Sequence, residues 1–122
     1  MTETFVQKIG KQLTADAREV GTTLAAQTQS NDVKQALDHV IGATGRLVGM
    51  LEMQTEEDGI VSFSQAEAAL DLTLGDILRF NGPQFEAFCA GEGLSNETYQ
   101  VMYKYRTQML ARLQKALAGM VD

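Results

Sequence analysis

This chain reads as an all-α protein, an elongated antiparallel bundle of four to five helices forming one domain over residues 1–122. Three observations carry that reading. Apolar residues recur at steps of three and four along most of the chain, the period of a helix and not of a strand. Capping residues stand where those runs begin. The composition includes a single proline, no tryptophan and 21% charged side chains, which suits helices joined by few irregular loops.

The first helix is marked by Val6, Ile9, Leu13, Ala17, Val20 and Leu24, all on one helical face. The polar stretch Gln27-Thr28-Gln29-Ser30-Asn31 ends it, and Ser30 or Asn31 can cap the next helix with Asp32 in its first turn. The second helix carries Val33, Leu37, Val40, Thr44, Leu47 and Leu51. It also holds Gly42, Gly45 and Gly49, each costing ~1 kcal/mol relative to alanine inside a helix. That cost is expected to be offset by close approach of another helix. The charge of Arg46 within this run excludes a membrane-packing glycine motif.

The third helix is expected to open on a Ser64-x-x-Glu67 capping box ahead of Leu70, Leu74, Ile77 and Leu78. It should stop at Asn81-Gly82, after which Pro83 starts a short helix holding Phe85 and Phe88, closed by Gly91 and Gly93. The last helix begins at Ser95 or Asn96 and continues to Val121, with Met102, Met109, Leu113, Leu117 and Met120 on its face. Its roughly 26 residues would span ~39 Å, longer than the ~35 Å breadth of a compact chain of this size. The terminal helices are therefore expected to make the bundle elongated and to favour a homodimer.

Charge is distributed unevenly. Residues 56–93 carry eight acidic side chains against Arg79 alone, in a chain whose formal net charge is −6. Such a segment repels nucleic acid and attracts basic proteins or cations. From it come the expected partner-binding residues Glu56, Glu57, Asp58, Asp71 and Asp76. Tyr99, Tyr103 and Arg106 join them, because tyrosine and arginine are enriched at protein interfaces.

Catalytic residues are not indicated. His39 is the only histidine and Cys89 the only cysteine, on different expected helices and without a local nucleophile motif. No zinc ligand set, no di-iron Glu-x-x-His pair and no phosphate-binding loop is present, so no cofactor or metal is expected. The absence of an apolar run near 20 residues excludes a spanning helix, and the lone cysteine points to a reducing, cytoplasmic setting.

Two stretches resemble known modules. Residues 54–65 are similar to the middle of an EF-hand calcium loop, with Gly59 at the sharp turn, Glu56 and Asp58 before it and Val61 after it. Gln54 and Gln65 replace the carboxylates at both anchor positions, so the stretch is read as a helix-loop-helix turn. Residues 85–105 resemble a helix-turn-helix in spacing, which would turn Asn96, Gln100 and Lys104 toward a DNA major groove. Glu92 and Glu97 at that surface oppose phosphate contact. The function expected is that of a non-enzymatic protein-binding regulator, inhibitor or assembly chaperone. A helix-turn-helix transcriptional regulator is the alternative.

Overall fold

The computed structural model describes residues 5–54 and 62–120. They form α1 (Phe5–Ala26), α2 (Asn31–Gly42), α3 (Thr44–Gln54), α4 (Phe63–Leu78), α5 (Gly82–Cys89) and α6 (Glu97–Met120). There is no strand among the described residues. The all-α bundle with long first and last helices is as the sequence predicts. Its second expected helix is divided at Ala43 into α2 and α3. There the Thr44 hydroxyl donates to the Val40 carbonyl at 3.3 Å and the Ala43 N–H is shared between the carbonyls of His39 and Val40. Such back-bonding bends a helix, and the preceding Gly42 weakens it further.

The helices alternate in direction. Arg112 on α6 meets Asp16 on α1 at 3.4 Å, and the Thr28 hydroxyl just past α1 donates to Glu97 at the start of α6 at 2.9 Å. These two pairings run α1 and α6 antiparallel. Asp71 with Arg106 and Phe80 with Tyr99 do the same for α4 and α6. Gly10 against Val48 and Gly21 against Ile41 set α1 antiparallel to the α2–α3 rod. α2 packs on α1, α4 and α6, so Val33, Leu37 and Val40 are all buried.

Every apolar position expected for the first two helices is buried, from Val6 to Leu24 and from Val33 to Leu51. Leu70, Leu74, Met102, Met109, Leu113 and Leu117 complete that core. Tyr105 joins it, 1% exposed, with its hydroxyl hydrogen-bonded to Thr44 and its pKa pushed well above the usual tyrosine value by burial.

Three local expectations are corrected. The capping box of α4 is Ser62-x-x-Gln65, not Ser64-x-x-Glu67. The Ser62 hydroxyl accepts from the Gln65 N–H at 3.1 Å, and the Gln65 side chain accepts from the Ser62 N–H at 2.9 Å. The helix thereby starts at Phe63, whose half-buried ring packs against the core. The far end of α4 is closed by Arg79 in the left-handed region (φ 56°). Asn81 instead caps α5, its side-chain carbonyl accepting from the Gln84 N–H at 3.0 Å.

Third, the glycines that permit close packing are not Gly42, Gly45 and Gly49, which have open space above them. They are Gly10 and Gly21 on α1. A Cβ on Gly10 would stand 2.9 Å from the Val48 side chain, and one on Gly21 would strike Ile41. The bulky side chains lie on the rod and the gaps on α1, the reverse of the expected arrangement.

Candidate functional site

The long-range ion pairs decide which of the expected partner-binding residues are at the surface. Asp71 is a bidentate partner of Arg106, with oxygen–nitrogen distances of 2.6 and 3.0 Å, and the two side chains are only 14% and 13% exposed. Glu67 stands 3.6 Å from the same guanidinium. The paired geometry raises the Arg106 pKa, the Asp71 hydrogen bond being the main cause. Cys89 is half-buried beside this cluster, its thiol pushed up by burial and then by Asp71. His39 is exposed on α2. Asp71 and Arg106, expected to face a partner, are therefore joined to each other between α4 and α6.

Tyr99 and Tyr103 are half-buried in an aromatic cluster. Phe80 lies 5.0 Å from Tyr99, Phe80 5.4 Å from Phe88, and Phe88 6.1 Å from Tyr103 between ring centroids. Offset and edge contacts of this kind stabilise by ~1 kcal/mol each beyond their buried area. Gly91 (φ 73°) brings the backbone against the Tyr103 ring, where a Cβ would stand 3.0 Å from its Cζ. The cluster anchors α5 and the following turn to α6.

Asn96, Gln100 and Lys104 form an exposed strip along the first turns of α6. Asn96 accepts from the Thr98 N–H at 2.8 Å, and Gln100 donates to the Leu94 carbonyl at 2.6 Å. Two of the three side chains expected to read DNA thus close the helix start. The opposite face of α6 is buried from Met102 to Leu117. Glu56, Glu57 and Asp58, with most of the calcium-loop-like stretch 54–65, lie outside the described residues. Among the described residues no group of three or more His, Cys, Asp or Glu side chains could hold a metal ion.

Asp76 is different. It faces outward and meets Arg46 of α3 at 2.7 Å, with both side chains well exposed, 68% and 60%. Beside it lies Leu72, 58% exposed, and Met53 on α3 is 88% exposed. Leu72 and Asp76 are one turn apart on α4, and Arg46, Met50 and Met53 follow the same face of α3. Met50 is half-buried against the core, so Met53 is the exposed apolar side chain on that face of α3.

On its other side, Leu72 lines a groove of about 460 Å³ with Gly75, Asp76, Arg79, Phe80 and Phe85. Gly75 is needed there. The Phe85 ring lies on its backbone, and a Cβ would come within 3.0 Å of that ring. The result is an outward face on α4 and α5 in which Leu72, Phe80 and Phe85 stand beside Asp76 and Arg79, with Arg46 of α3 reaching Asp76 at its edge.

Of this face the sequence reading contained Asp76 alone. The missed signal was phase. Leu72 falls about 200° round the helix from Leu70 and from Leu74 at 100° per residue, so a core-facing Leu70 and Leu74 require an outward Leu72. A second groove, about 730 Å³ between α1 and α3, has a floor of Gly10, Gly45 and Val48 and a rim carrying Lys11, Arg18 and Glu52. Comparison with family models, with curated proteins and with solved structures finds no match, so a functional reading rests on this chain's own residues.

Proposed function

We propose that this is a non-enzymatic protein-binding protein, a regulator, inhibitor or assembly chaperone, acting through the outer face of α3–α5 on a basic partner. The observation that carries it is Leu72, a large apolar side chain held in solvent one turn from the exposed Asp76 carboxylate, with Met53 exposed further along on α3. Exposed apolar surface rimmed by charge is the usual signature of an interaction site, and methionine adapts to varied partners. The acid excess of residues 56–93 supports a basic partner. The lone thiol fits a reducing, cytoplasmic compartment. Self-association to a homodimer through the long helices is a weaker reading, because α1 and α6 already bury their faces against each other within one chain.

The test compares proteins captured from a host lysate by the wild type, by Leu72→Ser/Asp76→Lys and by Lys11→Glu in the groove between α1 and α3. Circular dichroism would establish that all three are equally helical. A basic protein captured by the wild type and by Lys11→Glu, and reduced about tenfold by the double substitution, is expected, since losing ~1.4 kcal/mol is a tenfold loss. Equal capture by all three removes this face as the site. The DNA-binding alternative through residues 85–105 is disfavoured by the use of Asn96 and Gln100 in capping the turn.

A further inference from the structure

We infer that Met53 is a reversible oxidation site, the thioether that a peroxide converts to the sulfoxide ahead of Met50, Met102 and Met109 while the chain stays folded. The inference goes beyond the protein-binding reading and does not depend on it.

The chemistry is an oxygen-atom transfer. A lone pair of the Met53 Sδ attacks one oxygen of hydrogen peroxide, the O–O bond breaks, and the other oxygen leaves as water after proton transfer. The sulfur gains one S–O bond and gives up two electrons, which the peroxide accepts. A thioether carries no proton, so access to the sulfur decides which methionine reacts.

Access separates these methionines widely. Met53 is 88% exposed, next to the last residue of α3. Met50, one turn earlier, is half-buried against the core. Met102 and Met109 on α6 are 0% and 1% exposed and belong to the core itself. A peroxide reaches those two only when the bundle opens, and opening a core position costs up to the whole folding free energy. An opening cost of ~1.4 kcal/mol already slows the reaction about tenfold. Cys89 is the competing sulfur, but it reacts as the thiolate. Burial and then the Asp71 carboxylate hold it as the thiol.

Position in the fold also sets the consequence. Oxidation turns a flexible apolar side chain into a polar one. At Met102 or Met109 it would place an unpaired S–O dipole in the core, which is costly. At Met53 the new oxygen meets water. The helices are therefore retained, and the change is confined to the outer surface of α3.

The test exposes the purified chain to hydrogen peroxide at about pH 6, where a thiolate is scarce, and follows each methionine by peptide mass mapping. Sulfoxide is expected to accumulate at Met53 at least about tenfold faster than at Met102 or Met109, and faster than at Met50. In urea-unfolded chain the four should react at similar rates. Helix content and thermal midpoint should not change as Met53 is oxidised. A methionine sulfoxide reductase supplied with a dithiol should restore the thioether. Met53→Leu should remove this early oxidation without altering the fold.

Equal rates at Met53 and at Met102 or Met109 in the folded chain overturn the inference, as does oxidation of Met50 ahead of Met53. A loss of helix that tracks the Met53 sulfoxide also overturns it, by showing that the side chain is seated in the fold. A sulfoxide that the reductase leaves in place overturns its reversibility.

Discussion

Asp71 and Arg106 show how one contact can reassign a residue's role. Both side chains are largely enclosed, and their two hydrogen bonds are short. An enclosed ion pair adds little compared with apolar residues of the same shape, but removing one partner strands the other charge. Arg106→Ala is therefore expected to destabilise the fold by about 3 kcal/mol, measured by urea denaturation. Asp71→Asn/Arg106→Gln should cost less than the sum of the two single changes, because neither strands a charge. Additive losses would mean that the pair does not couple. Cys89, beside this cluster, is held as a thiol by burial and by the Asp71 carboxylate, which makes it a poor nucleophile at neutral pH.

Among the helices, the closest packing is made by α1, and its glycines differ from those of α3. Gly49 lies mid-helix, and a methyl group added to it would have nothing within 4 Å, so Gly49→Ala should stabilise by about 1 kcal/mol through helix propensity alone. Gly21→Ala gains the same propensity but drives a methyl into Ile41, and overpacking costs about 1–3 kcal/mol. Thermal melts should therefore show Gly49→Ala above the wild type and Gly21→Ala below Gly49→Ala; equal shifts would contradict the packing described for α1.

Helix capping gives a second check at this level. Ser62→Ala removes the acceptor for the Gln65 N–H and should cost about 1 kcal/mol. Ser64→Ala, within the first turn and exposed, should change stability by less than about 0.5 kcal/mol. The reverse order would restore the Ser64-x-x-Glu67 start.

For the molecule as a whole, electrostatics separates the two classes of partner. The net charge of −6 opposes the phosphate backbone, whose neutralisation by Lys and Arg supplies most non-specific affinity. No shift of a pooled duplex DNA sample is expected in a gel at low salt. A shift that weakens with salt and with Lys104→Ala would revive the helix-turn-helix reading. The three exposed or partly exposed arginines that reach across helices, Arg46, Arg106 and Arg112, each meet carboxylates of another helix. Arg112 also holds the exposed Glu19 below the usual carboxylate range by its hydrogen bond. Among the described acids of the expected set, Asp71 and Asp76 are each met by an arginine of another helix, and Asp76 is the one that faces outward, one turn from the exposed Leu72.

The sequence by itself determined the fold class and the buried faces of the first helices, because helical periodicity is a local property: Val6 to Leu24 and Val33 to Leu51 declare their face through spacing alone. It also held Leu72's outward position, in its phase relative to Leu70 and Leu74. Tertiary structure alone decided which residues meet across helices. Spacing cannot say that Arg106 lies over Asp71, that Tyr105 points inward to Thr44, or that Gly10 and Gly21, and not Gly45 and Gly49, sit under a neighbour's side chains. Those outcomes depend on the direction and register of helices far apart in the chain. Register is set by the summed packing of many side chains, which no local pattern encodes.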